Sequence, residues 1–221
     1  MKFEFSIRKA LKESWNLFKI TPWFFVGLTI ITVVINLAGG DKAPWYMDLI
    51  SAIASIIMSY VWISIGLATV DGKNELLTVK KFSTHLPTLR TFFVFLGLWF
   101  VSGLFTLLGF IALIIPGIYI MIRLMFAHTA YVDRKGTIMQ SMRYSWHMVR
   151  GDVFWTVFLT GLVSLGLLLL GIIMLGVGFL VLYPVSVFLV TKLYRTLSLH
   201  HDEQAVVVQP IEIVAPEKDV L

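Results

Sequence analysis

The chain has 221 residues, of which 58% are hydrophobic and only 14% charged, and its mean hydropathy is +0.86. Soluble domains carry about a quarter charged residues, so this chain lacks the polar side chains needed to coat a water-facing surface. The formal charge of +5 is no nucleic-acid signature, because the basic residues sit between apolar blocks without a basic-aromatic patch; the lack of cysteine excludes disulfides, thiolate metal sites and thiol catalysis.

The N-terminus, "MKFEFSIRKALKESWNLFKI", is amphipathic and has no compact apolar core with a small-residue cleavage site, so it does not read as a cleavable signal. It predicts an interfacial helix over 6–20, followed by apolar spans over 22–38 and 48–70. A second basic segment, 78–87, precedes spans over 91–115 and 117–133, with Pro116-Gly117 as the turn signal between them. A third, 137–150, precedes the last apolar block. One helix over 153–196 would be about 65 Å long, so the glycines Gly171, Gly176 and Gly178 divide it into spans over 153–172 and 176–196. Residues 1–197 thus form one all-α, six-span membrane domain. The remainder, 198–221, contains His200-His201-Asp202-Glu203 and two prolines, and reads as a flexible cytoplasmic tail or a partner-binding strand.

Charge asymmetry gives an independent check on this topology. Lys2, Arg8, Lys9, Lys12 and Lys19 precede span one; Lys73, Lys80, Lys81 and Arg90 follow span two; Arg134, Lys135, Arg143 and Arg150 follow span four; Lys192, Arg195 and Lys218 end the chain. All fall on one side if there are six spans, leaving Lys42 opposite and Arg123 within a span. The positive-inside rule then places both termini in the cytoplasm.

The basic segments resemble one another. "SIRKALKESWNLFK" and "TIMQSMRYSWHMVR" align without a gap, matching Ile7 to Ile138, Leu11 to Met142, Ser14-Trp15 to Ser145-Trp146 and Lys19 to Arg150. Both place apolar or small residues at helical spacing. Thr137 with Gln140 predicts a capping box, and Gly151 a helix stop. With "TVKKFSTHLPTLR" as a weaker copy, the expected unit is an interfacial helix plus a transmembrane hairpin, repeated three times at a spacing of about 65 residues. Trp15, Trp146, Lys19 and Arg150 read as interfacial anchors.

Arg123 is the exception to this apolar pattern. An arginine at mid-membrane depth costs about 2.5–3.5 kcal/mol on insertion scales, and a partner is expected. Asp133, Asp152, Glu13 and a lipid phosphate are the candidates, and structural pairing and ligand binding both remain open. There is no metal-ligand spacing, phosphate-binding glycine loop or nucleophile motif, and no pair of intramembrane carboxylates for acid–base chemistry. The reading is therefore non-enzymatic, with no metal and no cofactor. Ser51, Ser55 and Ser59, like Thr156, Thr160 and Ser164, form small-residue stripes suited to close helix packing.

"PGIYIMIRLMFAHTAYVDRKG", followed by "SMRYSWHMVRGDVFW", resembles a poorly characterised family of bacterial inner-membrane proteins. It is similar to the membrane domain fused to some bacterial glycerophosphoryl diester phosphodiesterases. The residues carrying the resemblance are Pro116-Gly117, Arg123, Asp133, Ser145-Trp146 and Arg150-Gly151. It implies an α-helical fold in the bacterial cytoplasmic membrane and a common structural or binding role for Arg123. It supplies no catalytic residues.

Two functions are expected from these readings. The first is a membrane scaffold or lipid-interacting module, with membrane lipids as partners and a protein partner or second copy as further candidates. The second is a transporter or channel in which Arg123 faces a cavity and binds a small or amphiphilic anionic solute. No nucleic-acid partner is expected.

Overall fold

A computed structural model describes residues 5–38, 44–73, 79–174 and 176–208. Among these residues the chain is all α, with no strand. Its elements are α1 (Ile7–Phe18), α2 (Pro22–Leu37), α3 (Trp45–Val70), a 3₁₀ segment (Val79–His85), α4 (Leu89–Ala112), α5 (Ile114–Leu124), α6 (Ala127–Arg134), α7 (Ile138–Met148), α8 (Asp152–Ile173) and α9 (Val177–Val208).

The helices α3, α4, α8 and α9 and the α5–α6 pair are long and apolar enough to cross a bilayer, which makes this a multi-pass membrane protein. A sixth crossing is reached only by joining α1 to α2 across a 94° bend. Alone, α2 has 16 residues, about 24 Å at 1.5 Å per residue, and falls short of the roughly 30 Å hydrocarbon core. The bend has a local cause. Pro22 opens α2 without needing its missing N–H, and it drives Thr21 out of helical geometry, to φ −142° and ψ 66°.

Apolar surface sorts the helices into two shells. The most apolar windows of α4 and α8 are only 22% buried, against 44% for α9 and 50% for α5–α6. The outer helices present Phe100, Leu107, Ile111, Leu162 and Leu169 to their surroundings, as lipid-facing helices must. Inside, α3 and α9 contribute to two cores. One core joins Phe18, Phe25, Trp62 and Phe188; the other joins Tyr60, Phe95, Phe126, Tyr131 and Tyr194.

Both later hairpins close on glycine. A Cβ on Gly171 would sit 2.8 Å from the Phe179 Cα, and one on Gly109 would sit 3.0 Å from the Gly117 Cα. The expected division of the last apolar block at its glycines therefore holds, with Gly176 at φ +76°. The expected Pro116-Gly117 turn does not. The chain reverses at Leu113, which is extended at φ −170° and ψ 158°, and Pro116 and Gly117 lie in the first turn of α5. Proline is tolerated there because first-turn N–H groups have no helical acceptor, and Gly117 serves the approach to α4 instead.

Two further boundaries differ from expectation. The fourth span breaks at Met125–Phe126 into α5 and α6. Likewise α9 runs on through 198–208, where a flexible tail was expected to begin; residues 209–221 lie outside the described residues.

Helix α1, the 3₁₀ segment and α7 each rest on an inner helix. Helix α1, N-capped by Ser6, buries Ala10, Ser14 and Phe18 and ties Glu13 to Lys192 of α9 by a salt bridge. In the 3₁₀ segment His85 meets Ser64 of α3 at 2.8 Å. Helix α7 has the expected Thr137–Gln140 capping box, is followed by Gly151 at φ +57°, and seats on the α5–α6 break.

Candidate functional site

The α5–α6 break and Arg123 form one arrangement with α7. A broken helix leaves backbone groups without partners. Ser145, fully buried on α7, supplies both: its Oγ donates to the Arg123 carbonyl at 2.7 Å and accepts from the Phe126 N–H at 3.2 Å. The Arg123 side chain returns the contact. Its Nη1 donates to the Trp146 carbonyl at 2.6 Å and its Nη2 to the Tyr119 hydroxyl. The guanidinium carbon lies 4.8 Å from the Trp146 ring centroid and 5.0 Å from that of Tyr119, a cation–π cradle. Phe154 of α8 closes the cradle, 5.3 Å from Tyr119.

Every acceptor around Arg123 is neutral. Among the described residues no carboxylate pairs with it, and its Nε is buried without a hydrogen-bond partner. The pairing expected with Asp133, Asp152 or Glu13 is thus corrected. Glu13 is held by Lys192, Asp152 is exposed in the first turn of α8, and Asp133 belongs to a second site.

That second site gathers the ends of α3, α6 and α9 that lie on the face carrying the basic segments. Arg195 of α9 grips Asp71, just past α3, with Nε at 2.7 Å and Nη2 at 2.6 Å, a bidentate fork. Its Nη1 reaches Asp133 of α6 at 2.8 Å, and the Tyr194 hydroxyl donates to the other Asp133 oxygen at 2.8 Å. The three charged side chains are only 16–25% exposed. One guanidinium therefore crosslinks three helices.

Polar recesses flank Arg195 on both sides. One, of about 270 Å³, includes Ser64, Asp71, Lys73, His85 and Asp133 in its walls. The other, of about 320 Å³, lies between α1, α3 and α9 and includes Ser6, Lys9, Glu13 and Lys192. Lys192 holds the Glu13 carboxyl below its ordinary range. In both recesses cations face carboxylates.

A third cluster docks the end of α9. Arg134 stacks 4.1 Å over the Tyr144 ring and pairs with Asp202, while the Tyr144 hydroxyl lies 3.0 Å from Ser198 Oγ and 3.3 Å from Asp202 Oδ1. Burial pushes the Tyr144 hydroxyl up, which keeps it protonated. This cluster is why 198–203 is structured rather than free. Among the described residues no three His, Asp or Glu side chains converge as metal ligands.

The expected anchors separate into two kinds. Trp15 is 39% exposed, stacks on Phe18 and carries Lys19 at 5.7 Å, while Arg150 is exposed beside Gly151. Trp146 instead is half-buried against Arg123. Arg195 and Asp71 were not singled out from sequence, although a signal was present. Ala68-Thr69-Val70-Asp71 and Ala130-Tyr131-Val132-Asp133 share Ala-x-Val-Asp, with a lysine two residues after each aspartate. Arg195 lies 124 residues beyond Asp71, with Asp133 at the midpoint. No family model, curated protein or solved structure matches this chain.

Proposed function

We propose that this chain is a lipid-interacting membrane scaffold of the cytoplasmic membrane, acting through its amphipathic helices without catalysis of its own. The observation that carries the reading is α1. Its apolar face is spent on α9, while Arg8, Lys9, Lys12 and Lys19 remain outside, with Trp15 beside them. A basic, aromatic-edged helix at right angles to a spanning helix suits anionic headgroups, worth about 1 kcal/mol per basic residue near such a surface.

Three units, each an amphipathic element plus a hairpin, are the architecture behind this function. Support comes from the Ala-x-Val-Asp pair and from the seating order. The 3₁₀ segment rests on α3, α7 on α5–α6, and α1 on α9, so each element covers the last helix of the unit before it. The first unit covers the third. In this reading α2 makes the first crossing, with the bilayer thinned around its 16 residues, α1 lies along the surface, and both termini lie in the cytoplasm, as the distribution of lysine and arginine favours.

The transporter reading needs Arg123 to meet water. Its donors meet Trp146 and Tyr119 instead, and it lines neither polar recess. Arg123 is therefore assigned as a structural pin between α5 and α7. Native mass spectrometry of protein taken gently from its own membrane tests the proposal, with Arg123→Gln beside the wild type. A phospholipid-sized mass retained by both is expected. Bare wild-type protein overturns lipid binding, and an unfolding midpoint in detergent that Arg123→Gln leaves unchanged overturns the structural assignment.

A further inference from the structure

Among the described residues, the recesses that indent the protein differ in how charge is balanced within them. Of the two polar ones beside Arg195, the first sets Lys73 and Arg195 against Asp71 and Asp133; in the second Lys192 is spent on Glu13 and Arg195 on the two aspartates, leaving Lys9 at its edge with no apolar slot beside it. A third, about 360 Å³ between α5 and α8, is lined by Ile118, Met121, Phe158 and Leu162 among other apolar residues and has no charge in its walls. It is suited to an acyl chain of any lipid. The fourth, about 300 Å³ at the corner of α4, α5 and α7, combines the two properties. Phe105, Ile120, Leu124, Met142 and Trp146 make an apolar slot, and its one charged wall residue is Arg143.

Arg143 is exposed, and among the described residues no carboxylate pairs with it. Behind the same Trp146 ring stands Arg123, also without a carboxylate partner. The α5–α7 corner thus holds two guanidinium groups whose charge the described protein does not balance. They adjoin an apolar slot whose Phe105 wall is 47% exposed. An anion with no apolar part would leave the slot empty, and a neutral lipid would leave the charges unbalanced.

We propose that the α4–α5–α7 corner is a binding site for one anionic phospholipid. Its phosphodiester sits on Arg143, and part of an acyl chain lies in the slot against Phe105, Ile120, Leu124 and Met142. Arginine suits the role because its planar fork matches phosphate oxygens and is more weakly hydrated than an ammonium. Arg123 is not a direct ligand, since Trp146 and Tyr119 occupy it; it adds a favourable field from behind the ring. This site rests on the lipid-interacting reading and deepens it by naming the lipid class and its contacts.

The full chain in phosphatidylcholine nanodiscs containing a minority of phosphatidylglycerol, followed by native mass spectrometry, provides the test. Wild type is expected to retain one phosphatidylglycerol. Arg143→Gln removes the charge at an exposed position, and Ile120→Trp fills the slot while leaving the charge; each should lower retention at least five-fold. Arg90→Gln, an exposed cation at the start of α4, should leave it unchanged. Retention unaltered in Arg143→Gln overturns this site while the lipid-interacting reading stands. An equal fall in Arg90→Gln also overturns it, in favour of unspecific charge attraction. If wild type retains no lipid in the nanodiscs or from its own membrane, the lipid-interacting reading itself falls.

Discussion

Arg195 and Arg123 meet one problem, a permanent charge among apolar helices, in opposite ways. Arg195 spends its fork on two carboxylates from two other helices and a tyrosine guards the second carboxylate. Arg123 has a backbone carbonyl, a phenol and two aromatic faces. With Lys73 3.9 Å from Asp71, the first arrangement sets two cations against two carboxylates and holds three helices; the second is open and holds two. Charge cancellation at a convergence point serves assembly, whereas a cation left with neutral acceptors still has field to offer its surroundings.

The strongest break in that comparison is Arg195→Leu. It strands two partly buried aspartates, and removing one partner of a buried pair typically costs 3–5 kcal/mol. Because the group retains some exposure, about 3 kcal/mol is expected, read as a lower unfolding midpoint in detergent micelles. Arg195→Lys should recover part of this, since it restores charge without the bidentate fork.

Ser145→Ala comes next. It orphans the Arg123 carbonyl and the Phe126 N–H together, and an unsatisfied buried group costs about 1–3 kcal/mol. A loss near 2 kcal/mol is expected in the same assay. Arg123→Leu should cost about as much, through the cation–π and hydrogen-bond contacts it removes. Combined with Ser145→Ala, it should cost clearly less than the two effects added, because both act on the α5–α7 contact. Full additivity would show that the cradle and the serine bridge are independent.

The smallest effect lies at the α1–α9 pair. Glu13 is 42% exposed on its side chain, so solvent screening limits the bond to well under 1 kcal/mol. Its carboxyl is held below the ordinary range by Lys192. The contribution is therefore present at neutral pH, above the unfolded-state value, and is lost as pH falls through the folded one. Glu13→Gln should remove that part of the acid sensitivity of α1 docking, followed by protease cleavage near residue 20.

Local chemistry was legible in the sequence. The capping box at Thr137–Gln140 and the glycine-closed hairpin at 171–178 are each written within a few residues, whereas Gly151, expected to stop α7, is the N-cap of α8, two residues past the Val149 C-cap. The charged crosslink was not legible, because Asp71, Asp133 and Arg195 each look like flanking charges of an apolar span. Only contacts across 124 residues distinguish them. The α5–α6 break was equally hidden: Leu124, Met125 and Phe126 contain no glycine or proline, and the break is satisfied by a serine on another helix. Spacing makes Asp133 one candidate partner for Arg123, whereas its partner, Arg195, lies on α9.

The seating of α1 on α9 also sets an order of events during biogenesis. Lys192 follows Glu13 by 179 residues. At about 5–20 residues per second, roughly 10–35 s separate synthesis of the first helix from that of the surface it covers. Throughout that interval Phe18 and Ala10 need another cover, either the bilayer or a chaperone. Helix α1, made before every other described element, waits longest for its seat, so a ribosome stalled before α9 leaves α1 where quality-control proteases can reach it.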